Sequence, residues 1–319
     1  MFVFHRGMKN ISQDTFLAAQ PFFLLVFTSA ESILAIILNI GVLTIYYHRK
    51  ELKQSSSHTI LTSLAFTDFS TCACLLFKTI SQMYFIPSND IWGDIYCRVI
   101  YTGFLMWAFI YSSWFHIILI TLDRFIAVVY PMKYSKLSSS HRQLYVVILC
   151  AYFAGGACVW QGLITARAGE DGCIYLLLSW SFAQKTASLA MFVFLAFFFT
   201  ISIFTLYSVV IWRVLFASRK TVRKTSKSQK RATTICIFLV AEFIVCNYPA
   251  VISAILVMLD DTFNLGFNIS GESFVILIYL HFVTASSVIN PIIYIACNTD
   301  FLMLLKNCYV FLCSNNVQD

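Results

Sequence analysis

Seven long apolar stretches, separated by short polar connections, constrain this 319-residue chain more than any other feature. A helix needs about 20 apolar residues to cross the hydrocarbon core of a bilayer, and other open conformations would leave their backbone polar groups unpaired there. The stretches are residues 21–47, 59–86, 99–122, 144–166, 186–212, 232–259 and 273–298, and four of them contain no Asp, Glu, Lys or Arg. We therefore predict an all-α membrane protein with a bundle of seven transmembrane helices.

The composition agrees with a bilayer protein, because only 12% of the residues are charged and 59% are hydrophobic. Soluble domains carry about 25% charged residues. We divide the chain into an N-terminal segment 1–20, a helical domain 21–299 and a tail 300–319. The first 20 residues are polar and lack the features of a signal peptide, so the first stretch is expected to act as an uncleaved insertion signal.

The distribution of lysine and arginine predicts the orientation. Of the 22 such residues, 16 fall in the tail or in the connections that follow the first, third and fifth stretches, five fall on the opposite side, and Lys78 lies within a stretch. Positive residues are retained in the cytoplasm, so we place the N-terminus outside the cell membrane and the C-terminus inside. Anionic lipid and cytoplasmic partners, rather than nucleic acid, are the expected counterparts of the net charge of +7. Asn10 and Asn268 then lie outside in Asn-Ile-Ser sequons and are candidate glycosylation sites.

Asp68 lies in the middle of the second apolar stretch. An ionisable group at the centre of a bilayer costs roughly 3 kcal/mol or more, so such residues are functional candidates. A cluster of Asp68 with Asn39, Ser113 and Asn290 is able to hold a cation and water. The alternative is a hydrogen-bonded cluster of polar side chains that only fixes helix packing. We favour the functional interpretation.

Other motifs lie near the predicted cytoplasmic face. Asp-Arg-Phe at residues 123–125 closes the third stretch, and from physical chemistry alone it is an ordinary charged helix end. Pro249 and Pro291 each remove a helical hydrogen bond and predict bends in two neighbouring helices. The amphipathic residues 300–313 suit a short helix on the inner membrane face. Their Cys308 and Cys313 are either palmitoylated or unmodified thiols.

Together these features resemble the rhodopsin-like (class A) G-protein-coupled receptors, from residue 22 to residue 313. Each motif alone is weak evidence for the resemblance. The order of the motifs, and the depth of each within its stretch, are specific to this family. The matching motifs are Asn39 with Val42, Leu64-Ala65-x-x-Asp68, Asp123-Arg124-Phe125 with Pro131, Tyr207, Phe243-x-x-Cys246-x-x-Pro249, Asn290-Pro291-x-x-Tyr294 and Phe301. The resemblance implies a receptor that converts the binding of an extracellular ligand into activation of a heterotrimeric G protein.

The resemblance also implies roles for individual residues. A sodium and water pocket would comprise Asn39, Asp68, Ser113, Ser287 and Asn290. G-protein coupling and activation would involve Asp123, Arg124, Tyr207, Asn290, Pro291 and Tyr294, with a hinge at Phe243, Asn247 and Pro249. A disulfide between Cys97 and Cys173 would tie the third helix to the second outer loop, in the compartment where disulfides persist.

The chain departs from the family pattern in its aromatic residues. Asn247 replaces the Trp that is expected between Cys246 and Pro249. The fourth stretch lacks its usual central Trp, with Tyr152 or Cys150 near that position, and the fifth stretch has no proline. The usual description of a tryptophan rotamer switch therefore does not transfer directly.

Two further departures concern the third helix. Cys97 is a couple of residues farther from Arg124 than is usual in the family. Gln229, at the start of the sixth stretch, cannot form the ion pair with Arg124 that an acidic residue would form. The second departure predicts raised basal activity.

Other functions of a seven-helix protein are less consistent with the sequence. A retinal Schiff base needs a lysine six residues before Asn290, where Thr284 stands, so retinal is not expected. The sequence contains no inverted repeat of the kind that is typical of transporters. It also contains no HExxH motif, GxSxG motif or His/Asp cluster that would indicate an enzyme or a metal centre. A non-signalling seven-helix membrane protein or transporter stays as an alternative.

The ligand class is the least constrained property. Met106 stands where amine receptors carry an Asp, which argues against a monoamine. Acidic and basic residues are separated around the outer mouth: Asp260, Asp261 and Glu272 on one side, Lys78, Arg98 and Lys185 on the other. This favours a short peptide; the alternatives are a lipid or small organic anion meeting Lys78, and loop charges that are merely solvated. The candidate ligand residues are Lys78, Met106 and Asn247.

Overall fold

The computed structural model describes residues 14–48, 56–84, 87, 89–137, 141–169, 172–175, 181–213, 227–263, 265 and 272–297. Several predicted features lie outside these residues: the sequons at Asn10 and Asn268, the amphipathic segment with Cys308 and Cys313, and the side chains of Gln229, Asp261 and Glu272. The predictions about them stay predictions.

Long helices account for most of the described chain. They are α1 (Asp14–His48), α2 (Ser56–Tyr84), α3 (Ile91–Tyr96), α4 (Phe104–Val129), α5 (Pro131–Leu137), α6 (His141–Cys158), α7 (Phe182–Trp212), α8 (Lys227–Phe263) and α9 (Glu272–Cys297). A π-helical turn, Cys97–Tyr101, joins α3 to α4, and a 3-10 turn, Trp160–Ile164, follows α6. The antiparallel strands β1 (Ala166–Gly169) and β2 (Gly172–Tyr175) form a hairpin before α7.

The helices α1, α2, α4, α6, α7, α8 and α9 correspond to the seven predicted spans. Six of the described helical segments are long and apolar enough to cross a membrane, and α6 is a shorter apolar helix. The predicted fourth span, 144–166, is too long, because α6 ends at Cys158 and the chain continues as the 3-10 turn. The 18 residues of α6 still give a length of about 27 Å, close to the hydrocarbon thickness of about 30 Å.

Helix α4 occupies the centre of the bundle, where it contacts α2, α6, α7 and α8. Helix α1 packs on α2 and α9, and α8 packs on α7 and α9. Large apolar side chains on the outer surfaces, such as Phe153, Phe194 and Val245, are exposed. In a bilayer these faces contact lipid, so the bundle has apolar residues both inside and outside.

The Cys97–Cys173 disulfide links the start of the third spanning segment to strand β2, as predicted. Cys173 pairs with Ala168 across the hairpin. Between Cys97 and Arg124 the chain forms the π-helical turn and then passes through Gly103, which has a φ of 73°. This left-handed conformation favours glycine. Below, the end of the bundle that carries this bond is the disulfide end, and the other is the Arg124 end.

Helices α6 and α4 approach each other closely at Gly155. A Cβ atom added there would lie 2.5 Å from the Ala108 carbonyl oxygen and 2.7 Å from the Ser112 backbone nitrogen. Neither backbone atom can move without displacing α4. The neighbouring Gly156 has no such neighbour within 4 Å of an added Cβ.

We predict that Gly155→Ala lowers the Tm of the detergent-solubilised protein by several degrees, because overpacking costs about 1–3 kcal/mol. Gly156→Ala is the matched control, and its Tm should be unchanged or slightly higher, since alanine favours a helix over glycine by about 1 kcal/mol. Equal Tm values for the two variants would contradict the close approach of α6 and α4.

Candidate functional site

A cavity lies at the disulfide end of the bundle, between α4, α7, α8 and α9. Its wall is mainly aromatic and apolar, and no charged side chain of the described residues lines it. Trp107 and Tyr279 both belong to the wall, and their rings contact each other with their centroids 5.1 Å apart. On another side the Ser188 hydroxyl donates a hydrogen bond of 3.1 Å to the Gln161 side-chain oxygen. The cavity therefore offers aromatic surface together with a few neutral polar groups.

The three candidate ligand residues from the sequence do not line this cavity. Lys78 and Met106 lie beside Gly103, on the side of α4 that faces α2. Asn247 lies deeper in the bundle. The Trp107–Tyr279 pair was not predicted, because a contact between the rings of two helices that are far apart in the sequence leaves no local sequence pattern.

Trp114 of α4 lies next to the floor of the cavity, where its ring contacts Tyr111, a wall residue, at a centroid distance of 5.1 Å. The indole also packs edge-on against Phe199 of α7 at 5.2 Å and Phe243 of α8 at 5.6 Å. Its Nε1 donates a buried hydrogen bond of 3.1 Å to the Asn247 side-chain oxygen. A single side chain thus joins three helices.

The hydrogen bond from Trp114 explains how the structure accommodates Asn247 at this buried position. The family pattern expects an indole on the sixth helix at this position, and here α4 supplies an indole beside it. Both partners are nearly fully buried, with exposed fractions of 4% for Trp114 and 5% for Asn247. The predicted hinge residues Phe243 and Asn247 therefore meet at Trp114, which the sequence reasoning missed.

The structure brings together the residues predicted to form the ion pocket. Asn290 Nδ2 donates a hydrogen bond of 2.9 Å to one oxygen of buried Asp68, and Ser113 Oγ lies 3.5 Å from the other oxygen. Asn39 Nδ2 donates to the Ser287 carbonyl oxygen at 2.9 Å. A small cavity borders Asp68, Ser113 and Ser287. The site therefore places side-chain and backbone oxygen atoms of neighbouring residues around the Asp68 carboxylate.

Three buried oxygen acceptors near the centre of the bundle have no hydrogen-bond partner among the described residues: Asn39 Oδ1, Glu242 Oε1 and Asn290 Oδ1. A buried acceptor without a donor costs about 1–3 kcal/mol. Water or a cation satisfies such atoms. Glu242 of α8 has an exposed fraction of only 7%.

A second polar cluster joins α2, α4 and α6. The ring of His116, which is fully buried, forms a hydrogen bond of 2.8 Å with the Ser63 hydroxyl. The Tyr152 hydroxyl forms another of 2.9 Å with the same atom. Tyr152 thus supplies a polar contact where the family pattern expects a tryptophan. His116 was not singled out, although a histidine in an apolar stretch was the signal that could have found it.

At the opposite end, Arg124 is buried and held by neighbours on α2, α4 and α5. Its guanidinium donates to Asp123, to the Ser57 hydroxyl and, at 3.0 Å, to the Tyr134 hydroxyl. Asp123 in turn accepts hydrogen bonds of 2.9 Å from Ser56 and 2.8 Å from Ser57. The motif is therefore more than an ordinary charged helix end, because its two charges are paired and covered.

Tyr207 and Tyr294 complete the predicted activation residues. Both hydroxyls are buried and have no hydrogen-bond partner among the described residues. Pro249 and Pro291 lie inside α8 and α9, which run on past them. The described conformation thus leaves two polar groups near the Arg124 end available for new contacts.

Comparison with known sequences gives a family match. The sequence pattern described as "7 transmembrane receptor (rhodopsin family)" matches residues 38–294. This range includes all seven spanning helices except the first part of α1 and the last residues of α9.

Individual proteins are similar over most of the chain. The neuropeptide S receptor of Homo sapiens is 25% identical over 283 residues, which cover 82% of this chain and 73% of that receptor. The B2 bradykinin receptor of Rattus norvegicus is 25% identical over 297 residues, or 88% of this chain and 72% of that receptor. The uracil nucleotide/cysteinyl leukotriene receptor of Homo sapiens is 27% identical over 222 residues, or 69% of this chain and 57% of that receptor.

Proposed function

Because the chain belongs to the rhodopsin family of seven-transmembrane receptors, and is therefore a multi-pass membrane receptor that signals through G proteins, we propose that its ligand is a short extracellular peptide. Its relatives are receptors rather than enzymes. Two of them are named for peptides, neuropeptide S and bradykinin.

The cavity at the disulfide end supports a peptide ligand. A monoamine needs a carboxylate for its ammonium, and the described wall contains none. Aromatic rings such as Trp107 and Tyr279 suit apolar side chains of a peptide, and the side chains of Gln161 and Ser188 suit its amide groups. A lipid or small organic anion is the second candidate, since another relative is named for a nucleotide and a leukotriene.

The orientation belongs to the same proposal. We place the N-terminus and the disulfide end outside the cell, and the Arg124 end in the cytoplasm with the G protein. The bias of lysine and arginine towards the Arg124 end supports this arrangement. It also puts the disulfide in an oxidising compartment.

Activation follows if the peptide binds one of two bundle conformations better than the other. In the described conformation Arg124 is occupied by Asp123, Ser57 and Tyr134. Coupling requires that Arg124 exchange these contacts for the G protein when α8 moves outward. Tyr207 and Tyr294, whose hydroxyls have no hydrogen-bond partner in the described part of the chain, would gain partners in that state.

The proposal is tested by second-messenger output (cAMP, calcium and inositol phosphate) in cells that express the receptor and are exposed to a synthetic peptide library. We expect one or more peptides to raise output, and Arg124→Ala to reduce that response to the level of untransfected cells. Arg142→Ala, which removes an exposed arginine near the same end of the bundle, is the matched control and should respond normally. A response to lipids or nucleotides but to no peptide would reject the peptide assignment.

We further propose that the Trp114–Asn247 hydrogen bond restrains α8 in the inactive conformation. The bond joins α4 to α8 between the ligand cavity and the Arg124 end. Outward movement of α8 would break it. Ligand contact with Tyr111, which touches the Trp114 ring, offers a route from the cavity to this bond.

Trp114→Phe keeps an aromatic ring between Phe199 and Phe243 but removes the donor, and Asn247→Leu removes the acceptor. A side-chain hydrogen bond in a membrane protein contributes about 0.6–1.7 kcal/mol, so each variant should raise basal second-messenger output about three- to eighteen-fold at equal surface expression. The double variant should show no further increase, because both changes remove one interaction. Additive increases would show that the two residues act separately.

We also propose that the Asp68 pocket binds a sodium ion, held by Asp68, Ser113 and Ser287 with Asn39 and Asn290 beside them. The fit rests on the set of candidate ligand atoms, in which oxygen predominates. Among the described residues, the side-chain oxygens of Asn39 and Asn290 have no hydrogen-bond partner, and no Lys or Arg borders the cavity. The ion would neutralise the Asp68 carboxylate in the bilayer interior.

Sodium chloride should therefore raise the Tm of purified wild-type receptor relative to choline chloride at equal ionic strength, since a ligand that binds the folded state stabilises it. Asp68→Asn removes the charge that attracts the cation and should abolish this difference. An undiminished sodium effect in Asp68→Asn would place the ion elsewhere.

A further inference from the structure

Lys78 brings a positive charge into the disulfide half of the bundle without an acidic partner among the described residues. Its Nζ atom lies against Gly103: a Cβ added to Gly103 would be 3.1 Å from this nitrogen and 3.4 Å from the Met106 methyl group. Lys78 is only partly exposed. An ammonium held among apolar groups is costly unless an anion pairs with it.

A second cavity lies beside this ammonium, between α2 and the start of α4. Its volume is about 250 Å³, and each of the described residues that line it is apolar or a glycine or cysteine. Gly103 and Met106, the two residues beside the Lys78 nitrogen, both line it. It shares no lining residue with the aromatic cavity described above. The two cavities are therefore distinct.

This second cavity faces the bilayer. Phe77 and Leu105, which line it, are 57% and 37% exposed on the outside of the bundle. In a spanning segment that outside is lipid. A molecule in the membrane can therefore enter the cavity sideways, without passing through the mouth at the disulfide end.

Gly103 makes the arrangement possible. Its positive φ is a conformation that other residues rarely adopt, and its missing side chain leaves space beside the Lys78 nitrogen. The ammonium thus lies next to Gly103 and Met106, two residues that line the apolar cavity.

We propose that this cavity binds a single-chain lipid anion from the bilayer, with the anionic head group paired to Lys78 and the alkyl chain against Phe77, Cys74 and Leu105. The charge of Lys78 selects an anion, and the apolar, lipid-facing walls select a molecule with a hydrocarbon chain. A fatty carboxylate and a lysophospholipid phosphate share this chemistry. The site is independent of the peptide assignment, because it uses a different cavity.

The test measures lipid binding to the full-length receptor in phosphatidylcholine nanodiscs, by Tm and by native mass spectrometry. Oleate should bind and raise the Tm of the wild type, whereas oleyl alcohol, with the same chain but no charge, should do neither. Lysophosphatidate is compared with oleate, and tighter binding of either one identifies the head group. Equal binding of oleate and oleyl alcohol would overturn the proposal.

Lys78→Met keeps an unbranched side chain without the charge and should weaken oleate binding at least tenfold. Cys74→Phe fills the cavity while Lys78 stays in place, and should weaken it as well. Arg167→Met removes an exposed cation at the same end of the bundle and should leave binding unchanged. Wild-type oleate affinity in both folded variants, Lys78→Met and Cys74→Phe, would show that the lipid binds elsewhere.

Discussion

Inside a bilayer a polar side chain must find its partner within the protein, because there is no water to replace it. In this receptor α4 supplies such partners at successive levels. Ser113 lies beside Asp68, Trp114 donates to Asn247, His116 bonds Ser63, and Arg124 is held by its neighbours at the far end. These hydrogen bonds, together with apolar packing, hold α4 at the centre of the bundle. Each bond fixes how a neighbouring helix is rotated about its axis and positioned along α4.

Helices α1 and α9 are joined in the same way. His281 and Thr284 of α9 contact the Glu31 carboxylate of α1 at 2.7 Å and 2.9 Å. Thr284 occupies the position that excludes a retinal lysine, so the residue that argues against a light sensor also has a role in packing. The Trp114–Asn247 bond differs from this pair because α8, one of the helices it joins, is the helix that moves outward in the proposed activation. A contact can therefore either hold the bundle together or resist its rearrangement, depending on which helices it connects.

The sequence was sufficient to predict the helical bundle, because the cost of unpaired backbone in lipid leaves few alternatives for seven long apolar stretches. It also identified Asp68, since a charged group in an apolar stretch is visible without a structure, and Asn290, which belongs to the Asn-Pro-x-x-Tyr motif. Side-chain pairs such as Trp114–Asn247 and His116–Ser63 were not predictable, because they depend on how helices rotate against each other. The early end of α6 was missed for a different reason: hydropathy does not distinguish the 3-10 turn at 160–164 from a continuing helix.

The distribution of satisfied and unsatisfied polar groups is uneven along the bundle. The charge of Arg124 is paired with Asp123, and its Nε and Nη2 atoms donate hydrogen bonds. Among the described residues, by contrast, the hydroxyls of Tyr207 and Tyr294 and one oxygen of Glu242 are buried without hydrogen-bond partners. Unpaired buried groups raise the free energy of the conformation that contains them. A rearrangement that gives them partners while releasing Arg124 recovers part of the cost of breaking the Arg124 contacts. The two conformations can then lie close enough in free energy for the differential binding of a ligand to decide between them.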